Sequence, residues 1–386
     1  MLRLRSSIFA HLVSSPAASP VSPLHRLLSA AAAAHAASTN PSFDVEQYLV
    51  DNCGLTRAQA LKASTKLSHL KSPTNPDAVL AFLAGLGLSS TDVAALVAKD
   101  PKFLCTGVDR TLGPIVDGLT GLGLSRSEIA RIASLAPLSF RRRSIVSNLP
   151  YCRSLFGTFE NLAQFLKKSS GHLRCSLEKA TKPNVEFLQE CGLGACDIAK
   201  LGLSVRWILD TKPERVRAMA ARAEAIGVPR GSGMFRLALQ AVAFLSEEKI
   251  AVRVGYLKNT FRWSDAEVGI VVCKFPMVLA MSKEMLQTKS EFLISEVGLE
   301  PAYVVQRPVL LGYSLQGRLR PRHYALKFLK ENGLLDHGRD YYSAIMVTEK
   351  VFVENYIAPH KEAAPHLAKD YADASRGQVP TRFRFG

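Results

Sequence analysis

The chain has 386 residues, 47% of them hydrophobic, and its 49 Lys and Arg outnumber 33 Asp and Glu for a net charge of +16. There is ample apolar sequence for a continuous core, yet no apolar run reaches the roughly 18 residues of a membrane span, so no membrane partner is expected. The seven cysteines (Cys53, Cys105, Cys152, Cys175, Cys191, Cys196 and Cys273) form no C-x-x-C pair, and no histidine lies near Cys191 and Cys196. They read as free thiols in a reducing compartment, not as a disulfide frame or a zinc site.

The first 43 residues hold Arg3, Arg5 and Arg26 and no Asp or Glu. They are rich in Ser and Ala and broken by Pro16, Pro20 and Pro23. That composition fits an organellar transit peptide over residues 1–38. Met1 to Phe9 can form a basic amphipathic turn or two, which favours the mitochondrion, with the chloroplast as the alternative. Without this segment 46 basic residues still face 33 acidic ones, a net +13.

From residue 44 to about 375 the chain repeats. Gly54, Gly87, Gly123, Gly157, Gly192, Gly227, Arg262, Gly298 and Gly333 share one phase, at spacings of 33, 36, 34, 35, 35, 35, 36 and 35. A period near 35 held over this length marks stacked supersecondary units, which build a long curved surface instead of one buried catalytic pocket. The unit at Gly87 is the clearest. Gly87 closes a preceding helix, because that position favours a residue tolerant of positive φ. Ser89 caps the next helix and Asp92 completes a capping box. Val93, Leu96 and Val97 follow at helical spacing, and Pro101, which has no N–H, stops the helix. Ser125 with Glu128, Ser264 with Glu267 and Thr56 with Gln59 repeat the box, each cap contributing about 1 kcal/mol.

Fourteen residues after the phase position stand Pro101, Pro137 and Pro276, with Ser68, Gly171, Arg206 and Ala241 in the same slot elsewhere. In the unit at Gly298 the proline, Pro308, comes early, which predicts a first helix about one turn shorter. A short turn such as Lys102-Phe103-Leu104 or Met277-Val278-Leu279 then leads into a second helix, for example Ser282 to Ser295 or Tyr324 to Asn332. No stretch alternates like a strand. The reading is an all-α superhelical solenoid of about eight to nine units over residues 44–375, followed by a basic tail at 376–386.

No catalytic constellation emerges, and neither an enzyme nor a cofactor is expected. Gly85-Leu86-Gly87 and Gly121-Leu122-Gly123 lack the third glycine of a dinucleotide fingerprint and follow no strand. Carboxylates sit at helix starts, where capping and the helix dipole explain them. The candidate binding residues are instead basic. One cluster is Arg318, Arg320 and Arg322; a second is Arg141, Arg142 and Arg143 with Lys167 and Lys168. Arg318 and Arg322 share a helix face, and Arg141 to Arg143 follow the break at Pro137, where a turn presents them outward. A basic curved array suits a polyanionic partner.

The pattern of Leu-Gly-Leu, capping box, apolar run and Pro-x-x-Leu resembles the mitochondrial transcription termination factor (mTERF) family. The most specific match is Arg307-Pro308-Val309-Leu310-Leu311-Gly312-Tyr313-Ser314-Leu315, then Arg318-Leu319-Arg320-Pro321-Arg322. Phe352-Val353-Glu354-Asn355-Tyr356 is similar to the family's closing segment. The resemblance implies a superhelix of units with two α-helices and one 3₁₀ helix, and a basic groove that holds DNA or RNA. It implies work in mitochondria or chloroplasts, in transcription termination or initiation, RNA splicing or ribosome assembly. A monomer bound to organellar nucleic acid is the first expectation. A scaffold for an organellar transcription or ribosomal protein is the second.

Overall fold

The computed structural model describes residues 43–174 and 177–378. The expected transit segment, Cys175 and most of the expected tail therefore lie outside the described residues. Within them the chain is helical throughout, with no strand. Unit 1 opens at Gly54, unit 2 at Gly87, and so on to unit 9 at Gly333.

All nine phase positions have positive φ, from 58° at Arg262 to 100° at Gly87. Each lets one helix end and the next begin within a short loop. Arg262 is the only non-glycine among them, and among the described residues it is the only non-glycine with positive φ. The four capping boxes form as expected, at Thr56, Ser89, Ser125 and Ser264. They open the first helices Arg57–Ser64, Ser90–Lys99, Arg126–Leu135 and Asp265–Lys274. In unit 8 the first helix is Pro301–Gln306, 6 residues where unit 2 has 10, so it is shorter by the expected turn.

In units 2, 3, 7 and 8 a proline begins the third element. Pro101–Cys105, Pro276–Ala280 and Pro308–Gly312 are 3₁₀ helices, and Pro137–Phe140 is a single α-turn. Proline suits this place because the first N–H of a helix needs no partner. The second helices follow, including Thr74–Leu86, Ser144–Phe156, Pro213–Ala225, Glu247–Phe261 and Arg320–Glu331.

Two features depart from a uniform unit. First, π-turns at Val108–Leu112, Leu177–Thr181 and Leu315–Leu319 lead into second helices. In each case a proline, Pro114, Pro183 or Pro321, stands second in the α-helix that follows. It has no N–H for the preceding turn, so the backbone there widens to longer-range bonds, such as Gly113 N–H to the Val108 carbonyl. Second, first and second helices are normally separated by eight residues, as at 100–107 or 275–282; only 243–246 intervene in unit 6 and only 347–348 in unit 9, between Tyr341–Met346 and Glu349–Phe352, and neither has a separate third helix.

One apolar core runs through the array. Leu96, Val97, Val271 and Val272 are buried between units. A row of polar side chains links unit to unit, from exposed Asn75 and half-buried Asn148 and Arg253 to buried Asn184 and Lys289. Each lies on a second helix and donates to a carbonyl in the next unit's segment between first and second helices: Asn75 to Leu104 at 2.7 Å, Asn148 to Leu173 at 3.0 Å, Asn184 to Ile208 at 3.0 Å, Arg253 to Met281 and Lys289 to Leu311. The short third elements leave carbonyls without intrahelical partners, and burial makes those partners obligatory. Burial lowers the Lys289 pKa, as expected for an ammonium whose partner is a neutral carbonyl.

Candidate nucleic-acid interface

The unit's topology gives the array two edges of different chemistry. At the loop edge lie the phase residues, the ends of second helices and the starts of first helices. At the turn edge lie the third elements, the ends of first helices and the starts of second helices. Three of the four capping boxes place a carboxylate at the loop edge, Asp92, Glu128 or Glu267, among exposed arginines such as Arg126, Arg153 and Arg230. Glu128 and Glu267 accept the backbone N–H of Ser125 and Ser264 there, and those bonds hold both carboxyls below their usual pKa.

The turn edge is basic. First helices stack side by side from unit to unit, and lysines tie their ends together. Lys99 donates to the Leu135 carbonyl, Lys168 to Leu203 at 3.3 Å and Lys274 to Gln306 at 3.3 Å. Each lysine thus sits on the negative end of the next unit's first helix. The starts of second helices, with the opposite dipole, face the same edge. Exposed cations cluster there in units 2 to 5: Lys102 and Arg110, then Arg142 and Arg143, then Lys167, Arg174 and Lys179, then Arg206, Lys212 and Arg215. Asp109, Glu178 and Glu214 are interspersed among them. Arg215 lies over the Trp207 ring at 3.9 Å, giving the edge one planar, charged platform.

The residues singled out from sequence divide in this setting. Arg142, Arg143 and Lys167 are exposed at the turn edge of adjacent units 3 and 4. One Arg143 nitrogen donates to the Arg110 carbonyl at 3.1 Å, the carbonyl that Pro114 leaves without its usual helical donor. Lys168 serves the inter-unit tie described above. Arg141 is committed to a buried partner, its Nε donating to Asp100 at 2.6 Å across the unit boundary.

The second cluster requires a correction. Arg322 has no exposed surface. Its guanidinium donates to the carbonyls of Ile345 at 2.8 Å and Val347 at 2.7 Å and to Glu349 at 2.9 Å, and lies over the Phe352 ring. It occupies the polar slot that Asn75, Asn148 and Asn184 hold in other units, and no phosphate can reach it. Arg318 is half-buried, donates to Val347 at 2.9 Å and stacks on Tyr313. Arg320 is half-buried beside Phe292. Arg318 and Arg322 do share a face, but that face meets unit 9.

Lys102, Arg110, Arg174, Lys179, Arg206, Lys212 and Arg215 lie on the same edge and were not among the residues singled out from sequence. The available signal was their recurrence around the third element of successive units, visible only once the unit boundaries are drawn. Among the described residues no three His, Cys, Asp or Glu side chains are grouped to hold a metal ion, and no helix is long and apolar enough to cross a membrane.

Comparison with known proteins agrees with this architecture. The mTERF family model matches residues 53–352. The chain is 24% identical over 264 residues to the chloroplast transcription termination factor MTERF8 of Arabidopsis thaliana, covering 67% of this chain and 51% of that protein. It is 22% identical over 299 residues to the mitochondrial transcription termination factor MTEF18 of the same plant, covering 74% and 49%. The chain thus spans about half the length of the curated relatives it matches. With the phased units, the proline-led third elements and a family match over most of its length, the chain belongs to the mTERF family.

Proposed function

We propose that this protein binds organellar nucleic acid along its turn edge and thereby regulates organellar gene expression, transcription termination being the activity its relatives are named for. The observation that carries the reading is the run of exposed Arg and Lys around successive third elements at the turn edge of units 2 to 5. Phosphates attract cations that have no carboxylate partner, and the starts of second helices add dipole ends of the right sign. Arg142, Arg143 and Lys167 supply phosphate contacts, with Arg215 on Trp207 beside them. Such contacts position a nucleic acid by its backbone more than by its base sequence.

The protein acts as a monomer, in the mitochondrion as first choice and the chloroplast as second. The test is affinity of the protein lacking residues 1–38 for duplex DNA and for structured RNA across a salt series. Log affinity falls linearly with log salt for a phosphate-binding edge. Absence of binding to both ligands at low salt rejects the reading.

A further inference from the structure

Along the turn edge the balance of exposed charge reverses once, at unit 6. Lys66 and Lys71 open the basic run in unit 1, and Lys102 and Arg110 stand against Asp109 in unit 2. Residues 136–147 of unit 3 set Arg142 and Arg143 against no acidic residue. Lys167, Arg174 and Lys179 outnumber Glu178 in unit 4, and Arg206, Lys212 and Arg215 outnumber Glu214 in unit 5. The corresponding stretch of unit 6, Ala243-Phe244-Leu245-Ser246, has no cation. Glu247 and Glu248 then open the second helix, with Lys249 alone against them, and all three are exposed.

First-turn carboxylates suit the helix dipole. Asp109, Glu178 and Glu214 do the same in units 2, 4 and 5, but cations outnumber them there; in unit 6 the carboxylates prevail. Hydrogen bonds from the Ser246 hydroxyl and the local backbone hold the Glu248 carboxyl below its usual pKa, so its charge persists. Phe244, 63% exposed, sets its ring edge-to-face against Trp207 at 6.2 Å. The platform of Arg215 and Trp207 thus continues into an apolar side chain that offers a phosphate no donor. Past unit 6 the cations are mostly committed: Arg253 to the Met281 carbonyl, Lys274 to Gln306 and Arg318 to Val347. Lys283 is exposed beside exposed Glu284.

We infer that Glu247 and Glu248 end the nucleic-acid path, confining the phosphate backbone to units 1 to 5 over about 40 Å, little more than one duplex turn. Like charge on the ligand and on this helix start turns the backbone off the edge at unit 6. The inference rests on the proposed function and adds the length and the boundary of its site.

The test places a photocrosslinking benzophenone amino acid in the full-length protein, in place of exposed Ser204 in unit 5 or exposed Ala280 in unit 7. The probes are DNA and RNA duplexes of about 24 base pairs, long enough to cross the boundary. The wild type should crosslink from position 204 and not from position 280. Glu247→Lys with Glu248→Lys should raise crosslinking from position 280 about fivefold or more. The slope of log affinity against log salt should steepen by about one to two, one for each new phosphate contact. Glu247→Gln with Glu248→Gln removes the repulsion without adding a cation, and should raise the same crosslink about two- to threefold with little change in slope. Equal crosslinking from both positions in the wild type overturns the inference, as does a duplex that binds without crosslinking from position 204. So does a lysine variant that gains no crosslink at position 280. Absence of binding to either duplex at low salt rejects the proposed function itself; binding with any of the other failures rejects the boundary alone.

Discussion

Arg141 to Arg143 and Arg318 to Arg322 are equally dense in arginine and have opposite fates. The first cluster lies in the loop after a third element, and Arg142 and Arg143 reach solvent. The second crosses into a second helix, where Arg322 turns inward and serves three oxygen acceptors of unit 9. In a stacked array the role of a cation follows from its place in the unit, not from local charge density. A polar side chain on the second helix that faces the next unit's turn is engaged by that turn's carbonyls, as Asn184, Lys289 and Arg322 are.

This contrast is sharpest in stability. Arg322→Met should strand the Ile345 carbonyl, while Val347 keeps Arg318 and Glu349 keeps Tyr371, and lower unfolding free energy by roughly 2 kcal/mol. Arg142→Ala should change it by less than about 0.5 kcal/mol. Urea unfolding of both variants measures the difference; equal midpoints would erase the distinction between the clusters.

Acidification tests the same interior region by another route. Burial, then the nearby Lys327 and Lys330, pushes the His323 pKa down from 6.5 to about 4. The folded state therefore keeps this imidazole neutral while the unfolded chain takes up a proton below pH 6.5. Its contribution is present above that pH and is lost as pH falls towards 4, by roughly 3 kcal/mol in total. Thermal melts of the wild type and His323→Phe between pH 7 and 4 should diverge accordingly.

At the exposed cluster the readout is binding. Arg142→Ala with Arg143→Ala should lower the slope of log affinity against log salt by about one per lost phosphate contact. Fold stability should not move. A wild-type slope in the double variant removes these arginines from the interface.

Smaller effects probe the loop edge. Ser264→Ala deletes one capping box and should cost about 1 kcal/mol. Arg262→Gly should stabilise by a few tenths to about 1 kcal/mol, because glycine adopts the left-handed backbone of that position without side-chain strain. Differential scanning calorimetry resolves both, and a destabilised Arg262→Gly would mean that the arginine side chain offsets its own backbone strain.

Most of the array was legible in the sequence because its punctuation is local. A phase glycine, a capping Ser with its carboxylate, and a stopping proline each act on neighbouring residues, so Gly87, Ser89, Asp92 and Pro101 define a unit before any packing is known. The early Pro308 even gave the length of the first helix in unit 8. The site was less legible, since exposure is decided between units. Nothing around Arg322 announces that its acceptors come from residues 345 to 349, and nothing near Asp100 announces Arg141. The missing turn of unit 6 was hidden for another reason. A longer loop at 227–234 and a second helix of 15 residues restore the 35-residue spacing, so the phase stays intact while the interior changes.

The lysine ties of Lys99, Lys168 and Lys274 have a consequence for how the molecule meets a partner from a distance. They quench the negative ends of the stacked first helices along one rim, while at the opposite rim the capping carboxylates stand among exposed arginines. In units 2 to 5 the turn-edge rim therefore carries a run of exposed cations above neutralised helix ends. Under the proposed function, a polyanion within a Debye length, about 8 Å in physiological salt, is drawn to that rim before any contact forms. Raising ionic strength then removes this early attraction along with the affinity.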